Sequence, residues 1–575
     1  MNNKEIAKVL YDIADILEIQ TEIPFKIIAY RNAARTVEFL AEDINDIYKE
    51  KGIKGLDGLE GIGQGIAKRI GELIKTGKLK YFEQLKHRVA APTILFMQIP
   101  GVGPKTAQKL YKELNAQTIE ELESLLKAGK GDKWFKEKTR DNILRGIDIL
   151  KRITGRALLP IAEPIARHIT DMLEKIPGVK QVHAVGSLRR MNETVGDIDF
   201  VCASSQPAQA LDAFTSHPDV DKVIAKGDTK ATVIHKESIQ LDLEILPEKE
   251  YGSLLQHFTG SKEHNVALRS WAQGRGLSIS EHGIKKEGTI HTFANEEDVY
   301  KFLDMDWITP KLRENRGEIE AALAHKLPAL IELKDIRGDL QGHSVWSDGH
   351  DRIEAIIKKA IDLGYQYIAL TDHSKGLGVA HGMDEKRVRK QWAEIEKVQK
   401  KYPRIRILKG MEVDIRVNGD LDMPEEILEK LDVLVASIHS AFNQTKEQLT
   451  ARILKAIKHP LVDIIGHPSG RILGTRESYE VDWEQIFQAA RDFDVAIEIN
   501  AFPNRLDLPD PLVFQAQKLG VKFAVDTDFH NVSHLDLMRY GAAVARRGWL
   551  TKERVVNTLS LSQLLPWLSR AKRVQ

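Results

Sequence analysis

Two aspartates separated by one residue begin an apolar segment, Gly196-Asp197-Ile198-Asp199-Phe200. Successive side chains of a β-strand point to opposite faces, so Asp197 and Asp199 share one face. A second alternating segment, residues 239–245, carries Asp242 on its polar face. If the two strands are neighbours, three carboxylates meet and repel each other unless cations lie between them. Such oxygen ligands favour Mg²⁺ or Mn²⁺ and phosphoryl transfer; the competing interpretation is an exposed strand with solvated aspartates.

A second set of potential metal ligands follows a series of short apolar segments in the C-terminal part. Parallel strands of a barrel bring their carboxyl ends to one face, so these side chains would converge. Mixed imidazole and carboxylate ligands suit Mn²⁺ or Zn²⁺, and clustered ions favour phosphoester hydrolysis. Any single histidine is more simply structural. Arg471 is a candidate phosphate ligand or an ordinary surface residue. The candidate ligands are His343, Asp348, His373, Glu412, His439, His467, Asp528 and His530.

Two glycine-rich turns near the N-terminus each lead into a helical pattern, at residues 61–65 and 101–105. Glycine permits tight turns and a close approach of the backbone, and the helix start that follows can bind a phosphate. Two copies predict contacts to the DNA backbone without sequence reading, the alternative being a purely structural helical hairpin. The candidate contacts are Gly61, Gly63, Gly65, Gly101, Gly103 and Lys105.

The predicted secondary structure, which must position these three sets of residues, differs between regions of the chain. Residues 1–150 follow helical spacing, residues from about 180 alternate as strands, and residues after about 335 alternate short apolar strands with amphipathic helices. The last pattern predicts a parallel sheet or barrel.

The composition describes an ordinary globular protein. The chain has 575 residues, 42% hydrophobic and 29% charged, with a net charge of +1. Residues 1–152 hold 27 Lys/Arg against 22 Asp/Glu, a mild basic excess. The single cysteine, Cys202, excludes disulfide frameworks and Cys-based zinc sites within one chain. Because there is no long apolar segment and no secretion signal, a cytoplasmic protein without membrane contact is expected.

The first half resembles the X-family DNA polymerases. The motifs that carry the resemblance are Gly186-Ser187-Leu188-Arg189-Arg190, Gly196-Asp197-Ile198-Asp199 and Phe258-Thr259-Gly260-Ser261. The C-terminal part resembles the polymerase-and-histidinol-phosphatase (PHP) domain through Asp339-Leu340-Gln341-Gly342-His343, Thr371-Asp372-His373-Ser374, Gly410-Met411-Glu412, Ser437-Ile438-His439, Gly466-His467-Pro468 and Asp528-Phe529-His530.

The resemblance implies a multidomain fold: an α-helical helix-hairpin-helix N-terminal region, an α+β nucleotidyltransferase palm and thumb, and a C-terminal (β/α) PHP barrel. The expected boundaries are an N-terminal helical DNA-binding (8-kDa-like) domain at 1–90, a fingers-like helix-hairpin-helix domain at 91–155, a palm at 156–250, a thumb at 251–318, a linker at 319–335 and the PHP domain at 336–575.

The same resemblance implies roles for single residues. Asp197 and Asp199 would bind both metals, and Asp242 would deprotonate the primer 3′-hydroxyl. Asn265 would contact the incoming base and Arg269 the template strand. The implied nucleotide-binding set is Arg156, Gly186, Ser187, Arg190, Gly196, His257, Phe258, Gly260, Asn265 and Arg269.

Three positions depart from the family pattern. His257 stands where animal members carry a tyrosine that senses the sugar, so discrimination against ribonucleotides is in question. Arg69 stands at the lyase lysine position, near Lys26 and Tyr30, and arginine is no amine nucleophile; Lys68 points about 100° away. Gln341 replaces the first histidine of the barrel motif, and an amide is a poorer ligand than imidazole.

The expected function is a DNA polymerase that fills short gaps in base excision repair, with a 3′→5′ exonuclease or 3′-phosphodiesterase in the PHP domain that also cleaves abasic sites. Its expected partners are gapped or primer-template DNA and dNTPs, with Mg²⁺ or Mn²⁺ at the polymerase site, Mn²⁺ and/or Zn²⁺ in the barrel, and a monomeric chain. The alternatives are a PHP-type phosphatase with a non-catalytic DNA-binding front half and a non-enzymatic repair scaffold.

Overall fold

A computed structural model of the chain describes residues 1, 3–20, 24–38, 40, 43–59, 61–86, 88–153 and 156–569. Contacts divide the chain into two units, residues 1–154 with 474–476, and residues 155–473 with 477–575. In these described ranges, no helix is long and apolar enough to cross a membrane.

The first unit is helical, as the spacing predicts. Apolar residues such as Ile6, Leu10 and Ile13 are fully buried on one face of the first helix. One core joins α1–α5 and a second joins α6–α9. The helices are α1 Asn3–Ile19, α2 Pro24–Glu38, α3 Ile44–Asp57, α4 Gln64–Thr76, α5 Lys80–Lys86, α6 Ala91–Phe96, α7 Pro104–Leu114, α8 Ile119–Lys127 and α9 Glu137–Ile153.

The two glycine turns precede α4 and α7. Gly61 and Gly101 adopt φ values of +77° and +81°, a conformation that disfavours any residue with a Cβ. Gly63 and Gly103 occupy the N-cap positions, where they offer no side chain to the N–H groups of the first turn.

The palm is a five-stranded sheet in the order β2-β4-β7-β6-β5, in which β4 and β7 are parallel neighbours. Its apolar alternation is as predicted, since Ile198, Phe200, Leu241 and Leu243 are all buried. Its elements are β1 Ala157–Leu158, α10 Leu159–Leu173, β2 Val179–Ala184, α11 Gly186–Arg189, β3 Thr194–Val195, β4 Asp197–Ser204, α12 Pro207–Thr215, β5 Val220–Lys226, β6 Lys230–His235 and β7 Gln240–Leu246.

The thumb follows as helices around a three-stranded antiparallel sheet in the order β10-β9-β8. Ile319 and Ala322 of α16 pack into its core, inside the segment expected to be a linker. The elements are α13 Tyr251–Thr259, α14 Lys262–Gln273, β8 Leu277–Ser280, β9 Gly283–Lys286, β10 Thr289–His291, α15 Glu296–Phe302 and α16 Glu318–Leu323.

The C-terminal region is the predicted barrel, with seven parallel strands paired in chain order. The ring closes where the N–H of His343 donates to the carbonyl of Phe529 at 2.7 Å. The elements are β11 Gly338–Asp339, α17 Ile353–Asp362, β12 Tyr367–Leu370, α18 Glu385–Lys401, β13 Arg406–Asp414, α19 Glu425–Leu428, β14 Val433–Ser437, α20 Lys446–Ile457, β15 Ile464–Ile465, α21 Trp483–Asp492, β16 Ala496–Asn500, α22 Asp510–Lys518, β17 Phe523–Asp526, α23 Met538–Arg547 and α24 Leu561–Leu568.

The barrel interior is apolar towards one end and polar towards the other. Leu564 and Leu568 of α24 pack against inward-facing residues such as Leu340, Tyr367 and Val433, which form an apolar floor. The charged and imidazole side chains follow the carboxyl ends of the strands, where parallel barrels carry their active sites.

Candidate active sites

Three carboxylates meet on the palm sheet. The parallel register sets Asp199 opposite Asp242, and Asp197 lies two residues earlier on the same face. One oxygen from each aspartate lies within 4.8 Å of the others. The Thr232 hydroxyl and the Gln240 amide donate to the two oxygens of Asp242 at 2.5 and 2.7 Å, and so fix its orientation.

The electrostatics of this cluster fit a divalent cation. Burial raises the pKa of Asp199 to about 7, and the neighbouring charges of Asp197 and Asp242 add to the shift. A cation beside Asp199 would offset this repulsion and favour its charged form. The all-oxygen donor set suits Mg²⁺ or Mn²⁺.

Two glycines make room beside the aspartates. A Cβ at Gly186 would lie 2.7 Å from Oδ2 of Asp199, and the φ of +61° also favours glycine. A Cβ at Gly196 would lie 2.9 Å from Nη1 of Arg156. A larger residue at either position would displace a side chain of the site.

The expected triphosphate ligands lie around the same turn. Ser187 is half-buried in α11. Arg156 donates to the hydroxyl and the carbonyl of Thr194 at 3.0 and 2.8 Å. Arg190 donates from Nε to Glu314 at 3.0 Å and from Nη1 to the carbonyl of Thr259 at 2.7 Å, so it also joins the palm to the thumb.

The thumb residues form a local network. Nη2 of Arg269 lies 3.0 Å from Nδ1 of His257, and the ring of His257 lies 5.0 Å from that of Phe258. Asn265 donates to the carbonyl of His257 at 2.7 Å. Burial lowers the pKa of His257, and the charge of Arg269 lowers it further. His257 therefore accepts from Arg269 as a neutral imidazole. Gly260 lies against Arg190, since a Cβ there would lie 3.0 Å from Nη1.

The barrel brings all eight candidate ligands together around two carboxylates. Glu412 lies 3.0–3.5 Å from ring nitrogens of His343, His373, His439 and His467. Asp348 lies 3.5–3.8 Å from ring nitrogens of His343, His373 and His530. Asp528 lies 3.1 Å from Nε2 of His343.

This cluster has the features of a metal site. The Nε2 atoms of His439 and His467 lie 3.2 Å apart and so point towards a common position. Within the described ranges, Nδ1 of His343 and Nδ1 of His467 are buried without a hydrogen-bond partner. Buried polar groups of this kind require a partner, and a mixed nitrogen and oxygen set suits Mn²⁺ or Zn²⁺.

Sequence reasoning missed the residues behind these ligands. Oδ1 of Asp414 lies 3.3 Å from Nδ1 of His439 and accepts from its backbone N–H. Asn500 donates to Oδ2 of Asp528 at 3.0 Å, and Glu498 accepts from the N–H of His467. Asp414 lies two residues beyond Glu412 on β13, so strand alternation could have revealed it.

Two further barrel residues lie in unexpected surroundings. Gln341 is fully buried, and within the described residues both ends of its amide lack a hydrogen-bond partner. A Cβ at Gly466 would lie 3.3 Å from its Oε1, which places the amide beside the His467 segment. Arg471 is 9% exposed rather than at the surface, and it donates to Glu193 of the palm at 2.6 Å.

The position expected for a lyase lysine is filled by an arginine that contacts two tyrosines. Arg69 donates to the hydroxyl of Tyr30, and its guanidinium carbon lies 3.8 Å from the ring centre of Tyr81. Lys68 is exposed and lies on another face of α4. The glycines expected to contact DNA, together with Lys105, are exposed at positions 61, 63, 65, 101, 103 and 105.

Family models match most regions of the chain. A helix-hairpin-helix domain matches residues 1–79, and a SAM-like helix-hairpin-helix tandem matches 53–116 and 93–128. The DNA polymerase beta thumb matches residues 254–314, and the PHP domain matches 339–502.

Curated relatives fall into two groups. The "DNA polymerase/3'-5' exonuclease PolX" of Bacillus subtilis (strain 168) is 36% identical over 576 residues, covering 99% of this chain and 100% of the relative. A "Probable phosphatase" of Thermoanaerobacter sp. (strain X514) is 32% identical over 248 residues, covering 41% of this chain and 95% of the relative. One from Caldanaerobacter subterraneus is 33% identical over 184 residues, 30% of this chain and 67% of the relative. The full-length match, together with the thumb and PHP models, shows that this chain belongs to the bacterial X-family DNA polymerases that carry a C-terminal PHP domain.

Proposed function

We propose that this polymerase fills short gaps in DNA during base excision repair, and that its barrel trims 3′ ends and cleaves at abasic sites. The observation that carries the polymerase activity is the parallel pairing of Asp199 with Asp242, which unites three carboxylates on one face. The glycine turns before α4 and α7 are proposed to hold the DNA backbone on both sides of a gap. Such contacts do not depend on the base sequence, which suits repair.

The proposed polymerase mechanism assigns a task to each aspartate. Asp197 and Asp199 would hold two Mg²⁺ or Mn²⁺ ions, which when bound activate the attacking hydroxyl and stabilise the leaving pyrophosphate. Asp242 accepts the proton of the primer 3′-hydroxyl, with its carboxylate held in place by Thr232 and Gln240. Ser187, Arg190 and Arg156 bind the triphosphate of the incoming dNTP beside Gly186 and Gly196.

The thumb is proposed to select the nucleotide. Asn265 contacts the incoming base, Arg269 the template strand, and His257 with Phe258 faces the sugar. Because Arg269 bonds to the ring of His257, a substitution at this position changes the Arg269 contact directly, whereas Asn265 bonds to the backbone carbonyl that any residue supplies. We propose a reduced discrimination against ribonucleotides relative to members that carry a tyrosine here.

The barrel is proposed to hydrolyse phosphodiesters at 3′ ends. One ion would be held by His343, Asp348, His373 and His530, and a second by Glu412, His439 and His467 with His373. Bound ions of this kind supply hydroxide near neutral pH and neutralise phosphate oxygens. Burial lowers the pKa of His467, and the positive charge of the nearby Arg505 lowers it further. Within the described residues, Nη1 of Arg505 is buried without a hydrogen-bond partner, so it is available to a phosphate oxygen.

Extension and degradation of one-nucleotide-gapped DNA, measured side by side, test both sites. We expect Asp199→Asn to abolish extension and leave degradation intact, and His439→Ala to do the reverse. Asp212→Asn and His325→Ala, both outside the two clusters, serve as matched controls. Extension by Asp199→Asn at the control rate would refute the polymerase site. Degradation by His439→Ala at the control rate would refute the barrel site.

The phosphatase relatives suggest an alternative in which only the barrel is catalytic. The complete aspartate set argues against a non-catalytic front half. Primer extension by the wild-type chain decides between the two, because the alternative expects none.

A further inference from the structure

Seven basic side chains gather where the palm, the thumb and the barrel meet, and five of them share three carboxylates. Glu296 lies 2.8 Å from Arg189 and 2.7 Å from Arg313. Glu314 lies between Arg190 and Arg547, and Asp510 lies between Arg547 and Arg316. Lys311 and Arg546 complete the set, so the cations outnumber the paired carboxylates by more than two to one.

Lys311 and Arg546 stand out because, within the described ranges, neither makes an ion pair. Lys311 lies in the short turn Pro310–Leu312, which packs against α23, and both of its neighbours in the turn are buried. Arg546 on α23 donates to the carbonyl of Ile331 at 3.0 Å. The carboxylate of Glu332 influences Arg546 at longer range.

The surroundings of Lys311 are strongly positive. Burial, followed by the charge of Arg546 and then of Arg189, Arg313 and Arg547, lowers the pKa of Lys311 to about 8. Arg313 is fully buried, and among the described residues its Nη2 has no hydrogen-bond partner. Lys311 is half-buried two residues before Arg313, and a buried guanidinium N–H without a partner is costly unless an anion accepts from it.

We propose that Lys311 and Arg546 bind a phosphate oxyanion at this junction. A tetrahedral phosphate offers several oxygens, so one group can accept from the ammonium and from the guanidinium at the same time. Each of the other five arginines is ion-paired with a carboxylate of the chain, which leaves these two for a ligand. The phosphate comes either from the DNA backbone or from a free phosphate, since both present the same oxygens.

Lys311 and Arg546 are not among the triphosphate-binding residues proposed on the palm, although Arg190 belongs both to that set and to the surrounding cluster of cations. On the palm, the nucleotide depends on metal ions held by the aspartates, whereas Lys311 and Arg546 bind an anion without a metal. In the presence of EDTA, the part of the phosphate response that is lost with Lys311 or Arg546 therefore reports on the junction, and it does not depend on either proposed catalytic activity.

Thermal unfolding in EDTA tests the proposal, with potassium phosphate compared with chloride at equal ionic strength. A ligand that binds the folded state raises the Tm with its concentration. We expect a phosphate-specific rise in the wild type, and at least a tenfold higher half-saturating phosphate concentration in Lys311→Met and Arg546→Met. Lys301→Met, an exposed lysine on α15, should respond like the wild type. The proposal fails if the wild type shows no phosphate-specific rise, or if Lys311→Met responds like Lys301→Met.

A DNA-binding titration identifies the source of the phosphate. Removing one cation that binds a backbone phosphate reduces the slope of log affinity against log salt by roughly 0.7 to 0.9. If Lys311→Met lowers this slope relative to Lys301→Met, the junction binds DNA. If the slope is unchanged while the response to phosphate disappears, the ligand is a free phosphate.

Discussion

Nη2 of Arg471 in the barrel donates to Oε2 of Glu193 in the palm at 2.6 Å. Arg471 lies four residues after His467, one of the clustered histidines. Glu193 precedes Thr194, which accepts two hydrogen bonds from Arg156. A continuous path of chain and side-chain contacts therefore joins the histidine cluster to an arginine beside the aspartates.

We expect Glu193→Ala to destabilise the protein by about 1–3 kcal/mol, because it leaves a largely buried guanidinium without its carboxylate. Arg156 should also shift, and the kcat/KM of nucleotide addition should fall several-fold. Chemical denaturation and single-nucleotide insertion measure the two effects. Asp492→Ala removes an exposed ion pair with Arg491 and should cost less than about 1 kcal/mol. Equal destabilisation of both variants would contradict the role of Glu193.

Asp414→Asn should lower the metal affinity of the barrel about 10- to 100-fold. Its carboxylate lies against Nδ1 of His439, and such a partner orients an imidazole ligand and raises its basicity. Metal content after dialysis and the Mn²⁺ concentration that half-activates degradation both report the weaker binding. Asp420→Asn, an exposed aspartate paired with Lys455, is the control. Unchanged metal content in Asp414→Asn would show that His439 needs no such partner.

In borohydride trapping on an incised abasic site, we expect the wild-type chain to form an adduct much more slowly than a dedicated lyase, or not at all. Arg69 fills the position between Tyr30 and Tyr81, and its guanidinium is no nucleophile. Arg69→Lys should produce a trapped adduct, because it places an amine there. Gel mobility of the trapped species measures this. An efficient adduct that is abolished in Lys68→Ala would assign the chemistry to the exposed lysine instead.

The stability of the protein should rise with pH across the range from about 8 to about 10.5, in part because of Lys311. Its folded-state pKa of about 8 lies below the unfolded value, so the folded state gives up the proton first. Below pH 8, the charged Lys311 therefore destabilises the folded state to the full extent. Above pH 8, this destabilisation decreases as the lysine loses its proton. In phosphate-free buffer, Lys311→Met should have a higher Tm than the wild type at pH 7 and a similar one near pH 10.5. A pH-independent difference would contradict this origin.

Strand alternation made part of the polymerase site predictable. Asp197 and Asp199 share a face because alternate residues of a strand point to the same side, which three residues of sequence suffice to predict. Only the pairing of this strand with the strand of Asp242 had to be seen in the structure. Asp414 obeys the same rule, yet its role becomes visible only with His439 beside it.

The long-range ion pairs follow no local rule. Arg471 and Glu193 are separated by 278 positions, and Arg547 and Glu314 by 233. Such contacts depend on how the palm, thumb and barrel pack against each other. For the same reason, no local pattern indicates that Arg190 holds the thumb through Glu314 and Thr259.

The closure of the barrel has a consequence for the order in which the protein matures. His343 follows the first strand, whereas Asp528 and His530 follow the last, and the backbone bond from His343 to Phe529 completes the ring. During synthesis, the palm and thumb leave the ribosome whole before the final strand exists. The aspartate cluster of the palm can therefore form first during synthesis. The metal-ligand cluster of the barrel forms only when the last strand closes the ring.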